Sequence, residues 1–211
     1  MEFHIFRRIP ISHEMKCFSL SAFVLFFCLC FFSKSLYGQS AEFKLIQRDF
    51  PDYGFSIAVP EGWYSLIGDK AAKMTKNKIF KALHRIPGDV VNAAAVSISY
   101  YHVDVTMPAD SIFKQYESKL LASVPFEVYN IRHVDGRPAR SHRYTYASGV
   151  LPFTSISTFF IDGDILFWFI ATTTPGEIET YRKVFDDMVV SIRIGNLNRE
   201  KFKKEDSVEK N

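Results

Sequence analysis

Two Asp-Gly dipeptides, Asp135-Gly136 and Asp162-Gly163, constrain this chain more than any other feature. Each sits between runs in which apolar and polar residues alternate. Residues 127–134 and 139–147 flank the first, and residues 153–161 and 165–173 flank the second. Period-two alternation marks a strand with one buried face. Asp-Gly between two such runs marks a tight turn, because glycine accepts the positive φ that the turn demands. Consecutive hairpins require an antiparallel sheet.

The remaining pattern extends that sheet and adds helices. Residues 53–59 (YGFSIAV) alternate as a strand and end at the turn Pro60-Glu61-Gly62, followed by Trp63-Tyr64. Residues 93–103 read as a second long strand. Residues 110–123 place Ile112, Phe113, Tyr116, Leu120 and Leu121 on one helical face. Thr174-Pro175-Gly176-Glu177 reads as a capping box, with Ile178, Tyr181, Val184, Phe185, Met188 and Val189 forming the stripe of the helix it starts. Residues 191–194 predict a short edge strand. Two amphipathic helices need a sheet to bury against. The expected class is α+β: an antiparallel β-sheet flanked by helices, an α/β/α sandwich.

The first 38 residues differ in kind. Residues 17–32 are an apolar run, which Lys34 ends. A membrane span needs about 20 apolar residues, whereas the core of a signal peptide needs about 7–15. Small residues follow, with cleavage after Gly38 or Ser40. Residues 1–38 are therefore read as a signal peptide, the alternative being an uncleaved anchor. Residues 1–14 carry Glu2 and Glu14 and suit a leader badly, so Met15-Lys16 is the expected true start. Cys17, Cys28 and Cys30 are the chain's three cysteines, and all lie in this segment. The exported remainder then has no disulfide and no thiol site. Neither Cys28 nor Cys30 follows a small residue, which argues against a lipid anchor. There is no Asn-x-Ser/Thr sequon, which favours a bacterial periplasm or secretion.

Residues 39–195 form one expected domain, long enough to bury a core without staples. Removing the leader takes Arg7, Arg8, Lys16, Lys34, Glu2 and Glu14 from a chain of net charge +3. The remainder is close to neutral, with no general pull toward nucleic acid. Residues 196–211 are charged and predict a disordered tail.

Three segments carry a resemblance. YGFSIAVPEGW (53–63), VDGRPARSHRYTY (134–146) and YRKVFDDMVVSIRI (181–194) resemble, in order and spacing, the opening motif, central hairpin and last helix of the PsbP-like and Ran-binding Mog-type fold family. The resemblance implies a small sandwich, often exported, whose functionally named members are non-catalytic. The plant-type protein is an accessory subunit docking on photosystem II, and the Mog protein binds a small GTPase. It supplies no catalytic residue to carry over, and the plant-type docking segment has no equivalent here.

The residues themselves agree. There is no G-x-S-x-G, H-E-x-x-H, P-loop, G-x-G-x-x-G or C-x-x-C, so no catalytic residue, metal site or cofactor is assigned. Strand alternation puts Tyr129, Ile131, His133, Arg140, His142, Tyr144 and Tyr146 on one sheet face, with the turn at Asp135-Gly136 or Gly136-Arg137. With the latter turn His133 opposes Arg140. This face is either a partner-binding surface of rigid aromatics and forked donors or core beneath a helix. His133 and His142 also raise a metal pair, without a third ligand and with Arg140 to repel a cation. Lys70, Lys73, Lys76, Lys78, Lys81 and Arg85 form a basic run that suits an anionic surface, or equally a solvated helix face or long loop. Asp162 and Asp164 are paired carboxylates, but Asp-Gly is first a turn signal. The expected function is an exported, non-enzymatic accessory or binding protein of the envelope with a protein partner. The alternative is a carrier of a small apolar or aromatic ligand. Membrane contact is expected only through the leader or peripherally.

Overall fold

The computed structural model describes residues 43–67, 69–72, 77–86, 93–122 and 124–202. The leader, Met15, Lys73, Lys76 and residues 203–211 lie outside them.

The described strands are β1 (Leu45–Phe50), β2 (Phe55–Pro60), β3 (Tyr64–Ile67), β4 (Lys78–His84), β5 (Ala94–His102), β6 (Phe126–Val134), β7 (Arg137–Ser148), β8 (Leu151–Asp162), β9 (Ile165–Thr173) and β10 (Arg193–Ile194). The helices are α1 (Asp69–Ala72), α2 (Ala109–Leu120) and α3 (Ile178–Ser191). Seven strands form one antiparallel sheet in the order β3-β4-β5-β9-β8-β7-β6, and β1-β2-β10 form a smaller antiparallel sheet. The protein is α+β, as its alternating runs imply.

Each face of the large sheet has its own core. On one face Val96, Ile98, Phe160, Phe167 and Phe169 pack with Phe185 and Met188 of α3 and with Phe55, Ile57 and Val59 of β2. On the other, Phe159 and Leu166 pack with Ile112, Phe113 and Tyr116 of α2. Burying each such side chain stabilises by about 1.5–3 kcal/mol.

Both hairpins turn on two residues. Val134 pairs with Arg137, and Asp135 (φ 52°) and Gly136 (φ 78°) between them are left-handed, as a turn matched to strand twist requires. Asp162 pairs with Ile165, so the second turn is Gly163-Asp164, one residue beyond its sequence position. The expected capping box does not form. Thr174 makes no side-chain cap; a 3-10 turn over Pro175–Glu177 comes first, and the Thr174 carbonyl accepts from the Glu177 N–H at 3.0 Å. The tighter turn uses backbone where the hydroxyl was expected.

The domain does not end at 195. Residues 199–201 make a 3-10 turn, and Phe202 is 1% exposed, edge-on to Tyr53, Tyr100 and Phe167. The segment reaches this position by passing Gly54, where an added Cβ would lie 2.1 Å from the Asn196 carbonyl oxygen, and Gly163, where Arg199 crosses.

Candidate functional site

The register tests the proposed sheet face residue by residue. The first turn is Asp135-Gly136, so His133 opposes Pro138, not Arg140. Arg140 opposes Ile131, and His142 opposes Val128. Tyr129 leaves the set. A bulge between Val128 and Asn130 inverts the alternation and sends Tyr129 through to the α3 side. There its hydroxyl accepts from Arg182 Nε at 2.7 Å and donates to Asp186 at 3.2 Å, with the Arg182 guanidinium 5.3 Å from the ring centre.

Helix α2 covers much of what remains. Arg140 lies under it, 2.9 Å from Asp110, 3.4 Å from Glu117 and 5.4 Å from the Phe113 ring centre. His142 is 1% exposed and its Nε2 lies 3.0 Å from Glu117. Tyr144 is buried beside Ser155, and burial pushes its hydroxyl up to about 12. His133 is exposed and Tyr146 half-buried. Arg140, His142 and Tyr144 therefore belong to the α2 packing layer, and among the described residues no second histidine stands beside His142. Among the described residues no three His, Cys, Asp or Glu side chains converge on one point.

Past the end of α2 the same face opens. A groove of about 690 Å³ is lined by Leu120, Val124 and Pro125 above and by Tyr144, Tyr146, Trp168 and Ile170 below. The buried indole N–H of Trp168 has no hydrogen-bond partner. Beside the groove the sheet edge carries exposed Phe126 (41%) and Val128 (67%), which share its face through their pairing with Tyr144 and His142. The β7–β8 tip adds Val150, 96% exposed, and Leu151. In the sequence these rim residues stand singly or as one pair in mixed runs and carry no periodic signal.

The basic run is not a helix or a loop throughout. Lys70 is in α1, Lys78 and Lys81 are half-buried in β4, and Arg85 follows that strand. Cross-strand register carries both β4 lysines onto the groove's face. One row runs Lys78–Ser99–Trp168–Phe159–Arg140 and the next Lys81–Ser97–Ile170–Ser157–His142. Burial lowers the Lys78 pKa, and the nearby Lys81 charge lowers it further. Burial likewise lowers Lys81, reinforced by Arg85.

The remaining polar clusters are occupied by the fold. Asp162 is held by Arg137 at 2.7 Å and by Arg199. Asp164 is held by Arg199 and lies 3.5 Å from His102. Two guanidiniums thus neutralise the carboxylate pair and clamp the C-terminal segment over the hairpin turn. On the α3 side His84 stacks on Trp63 (5.4 Å, 1°) and shares a 2.7 Å hydrogen bond with Tyr181.

No protein-family model matches the chain, and no curated protein matches it by sequence. Solved structures do match its fold. The solution structure of cyanobacterial PsbP (CyanoP) from Synechocystis sp. PCC 6803 superposes with a TM-score of 0.50 at 15% identity, over 74% of this chain and 96% of that one. The crystal structure of LpqN, involved in cell envelope biogenesis of Mycobacterium tuberculosis, superposes with a TM-score of 0.52 at 14% identity, over 75% and 95%. The fold is PsbP-like, as the three sequence segments implied.

Proposed function

We propose that this chain is an exported, non-catalytic binding protein of the cell envelope, with its working surface at the uncovered end of the seven-stranded sheet. The observation that carries the reading is the exposed Phe126 beside the groove, paired with Tyr144 of its lining, with exposed Val128 two residues along the same strand. Contiguous exposed apolar surface beside rigid aromatics suits a protein partner. The groove lining offers tyrosine, tryptophan and aliphatic surface rather than a paired acid and base. Export rests on the pattern of residues 1–38. One further fact fits it: LpqN, which has the same fold, is involved in cell envelope biogenesis.

A photo-crosslinking residue placed at Tyr146 tests this in cells, with Val190 of α3 as the control on the opposite side. One envelope protein is expected from Tyr146 and not from Val190, and it must recapture this chain in the reverse experiment. Equal products from both positions, or none from Tyr146, sink the reading.

The second reading, a small-ligand carrier, is favoured by one specific observation. The groove is of small-molecule size, and Tyr144, Tyr146 and Trp168 line it with aromatic surface. Native mass spectrometry of the purified chain should then show a bound mass that Trp168→Ala removes.

A further inference from the structure

We infer that the tip of the β7–β8 hairpin dips into a lipid surface, with Val150 and Leu151 entering the membrane and Tyr146 and Phe153 lying at its headgroup level. The inference rests on the envelope reading of the chain and adds a membrane contact beside the groove.

The first support is the shape of the hairpin. β7 pairs with β6 only as far as Tyr144, and β8 with β9 only as far as Thr154. Past those residues the two strands run on paired to each other alone, down to Ser148 and Leu151. Gly149, at φ 64°, and Val150 make the two-residue turn. At about 3.3 Å per residue, Val150 stands roughly 20 Å beyond Tyr144 along the strand. Leu120, Val124 and Pro125 share the groove with Thr145, Tyr146 and Ala147, whereas Ser148 through Pro152 are exposed without exception. Among the described residues nothing covers Val150, which is 96% exposed.

The second support is chemistry. From Tyr144 through Ile161 the sequence holds no charged residue. Between Ala147 and Phe153 the one side chain that forms hydrogen bonds is Ser148. A protein interface carries about one hydrogen bond per 100–200 Å², and the side chains of this tip do not supply that; a bilayer asks only that apolar surface be buried. The backbone suits the same surroundings, because the strands of the tip pair with each other and Pro152 has no N–H to leave unsatisfied. Leu151 and Phe153 alternate onto one face with Tyr146, whose ring centre lies 5.9 Å from that of Phe153. Tyr146 and Phe153 stand behind Leu151, where an amphipathic ring belongs at a membrane–water boundary.

The third support is direction. His84, Ala94, Thr173, Thr154 and Thr145 form one row across the sheet, so the hairpin leaves the fold at the His84 end. Phe43, the first described residue, packs on His84 with ring centres 5.7 Å apart. The chain thus enters the domain at the end from which the tip projects. The apolar run 17–32 is joined to that entry by residues 33–42, so a membrane that holds the run during export is tied to this end of the sheet.

An environment-sensitive fluorescent amino acid at position 150 tests this in the protein purified from cells as they process it. Position 105 is the control, because Val105 is also exposed (65%) but follows β5 at the opposite end of the sheet. On phosphatidylcholine vesicles with brominated acyl chains, fluorescence at 150 should be quenched and that at 105 unchanged. Val150→Ser with Leu151→Ser should weaken vesicle binding by about tenfold or more, since two apolar side chains stay in water, and should leave the urea midpoint unmoved, since neither residue belongs to the core. If the double variant does not fold, the comparison of positions 150 and 105 still decides. Absent quenching at 150, or equal quenching at both positions, overturns the lipid contact and leaves the groove reading, tested through Tyr146, standing. Photo-crosslinking of an envelope protein through position 150, with no quenching on vesicles, makes the tip a protein contact and likewise overturns the inference.

Discussion

His142 and Glu117 meet at 3.0 Å between the sheet and the helix that covers it, and the contact fixes which ring nitrogen carries the proton. A carboxylate only accepts, so Nε2 is the donor. Nδ1 is buried without a partner. A bare lone pair there is tolerable, whereas a second N–H would be stranded. Burial therefore outweighs the pull of Glu117 and lowers the His142 pKa below its usual 6.5, with Arg140 helping. The unfolded chain takes up this proton near pH 6.5 while the folded chain resists it. The stability is thus complete above about pH 6.5 and is lost as pH falls through the lower folded pKa. His84, lowered by burial, acts in the same direction. Urea unfolding at about pH 7.5 and about pH 5 should show a lower midpoint in acid, with a smaller drop in His142→Gln. An equal drop in both proteins would mean that His142 does not titrate as described.

Removing Glu117 tests the same contact from the helix. Glu117→Ala leaves the buried Nε2–H of His142 unsatisfied and Arg140 with only the exposed Asp110. A loss of about 1–3 kcal/mol is expected. A change under about 0.5 kcal/mol in urea unfolding would show that α2 is held by its apolar stripe alone.

The bulge in β6 makes Tyr129 a strut to α3 rather than a surface residue. Tyr129→Phe removes the hydrogen bonds with Arg182 and Asp186 and keeps the ring under the guanidinium. The expected cost is about 0.5–1.5 kcal/mol. Crosslinking through Tyr146 should be unaffected by this substitution, and its loss would place Tyr129 in the binding surface after all.

Tyr146 separates stability from binding. It is half-buried at the groove's rim, so Tyr146→Ala should cost little in urea unfolding. Binding of whichever partner or ligand the groove holds should weaken by about 2 kcal/mol or more, if the residue acts as an aromatic anchor. A variant that binds normally would move the surface elsewhere.

Phe202 should behave as core despite its place in a charged segment. Phe202→Ala empties a site between Tyr53, Tyr100 and Phe167 and should cost about 3–5 kcal/mol. Thermal unfolding reads this directly, and an unchanged melting temperature would show that the ring is dispensable.

The sheet and both long helices were legible because their signals are local: Asp-Gly turns, alternation and apolar stripes. Two errors share one cause. In β4 a register shift between Lys78 and Phe80 brings Ile79 and Phe80 both into the core, so a strand reads as a basic run with helix-like apolar spacing. In β6 the bulge at Tyr129 reverses the face of one residue. A bulge is chosen by the partner strand and leaves little trace in its own sequence. The groove was illegible for a related reason. Its walls come from α2, β7 and β9, and only register brings Lys78 and Trp168 into one row. The tail misled because one apolar residue among charges carries no periodicity, yet Phe202 fills a site built by the β1–β2 turn and two distant strands.

The passage of residues 195–202 between Gly54 and Gly163 also sets the order in which the domain can assemble. Its contacts join the first hairpin to the last segment of the described fold, and such distant closures form late and slowly. Until they form, the pocket of Tyr53, Tyr100 and Phe167 stands unsealed. Synthesis runs from the N-terminus, so this seal waits until residues 195–202 have been made.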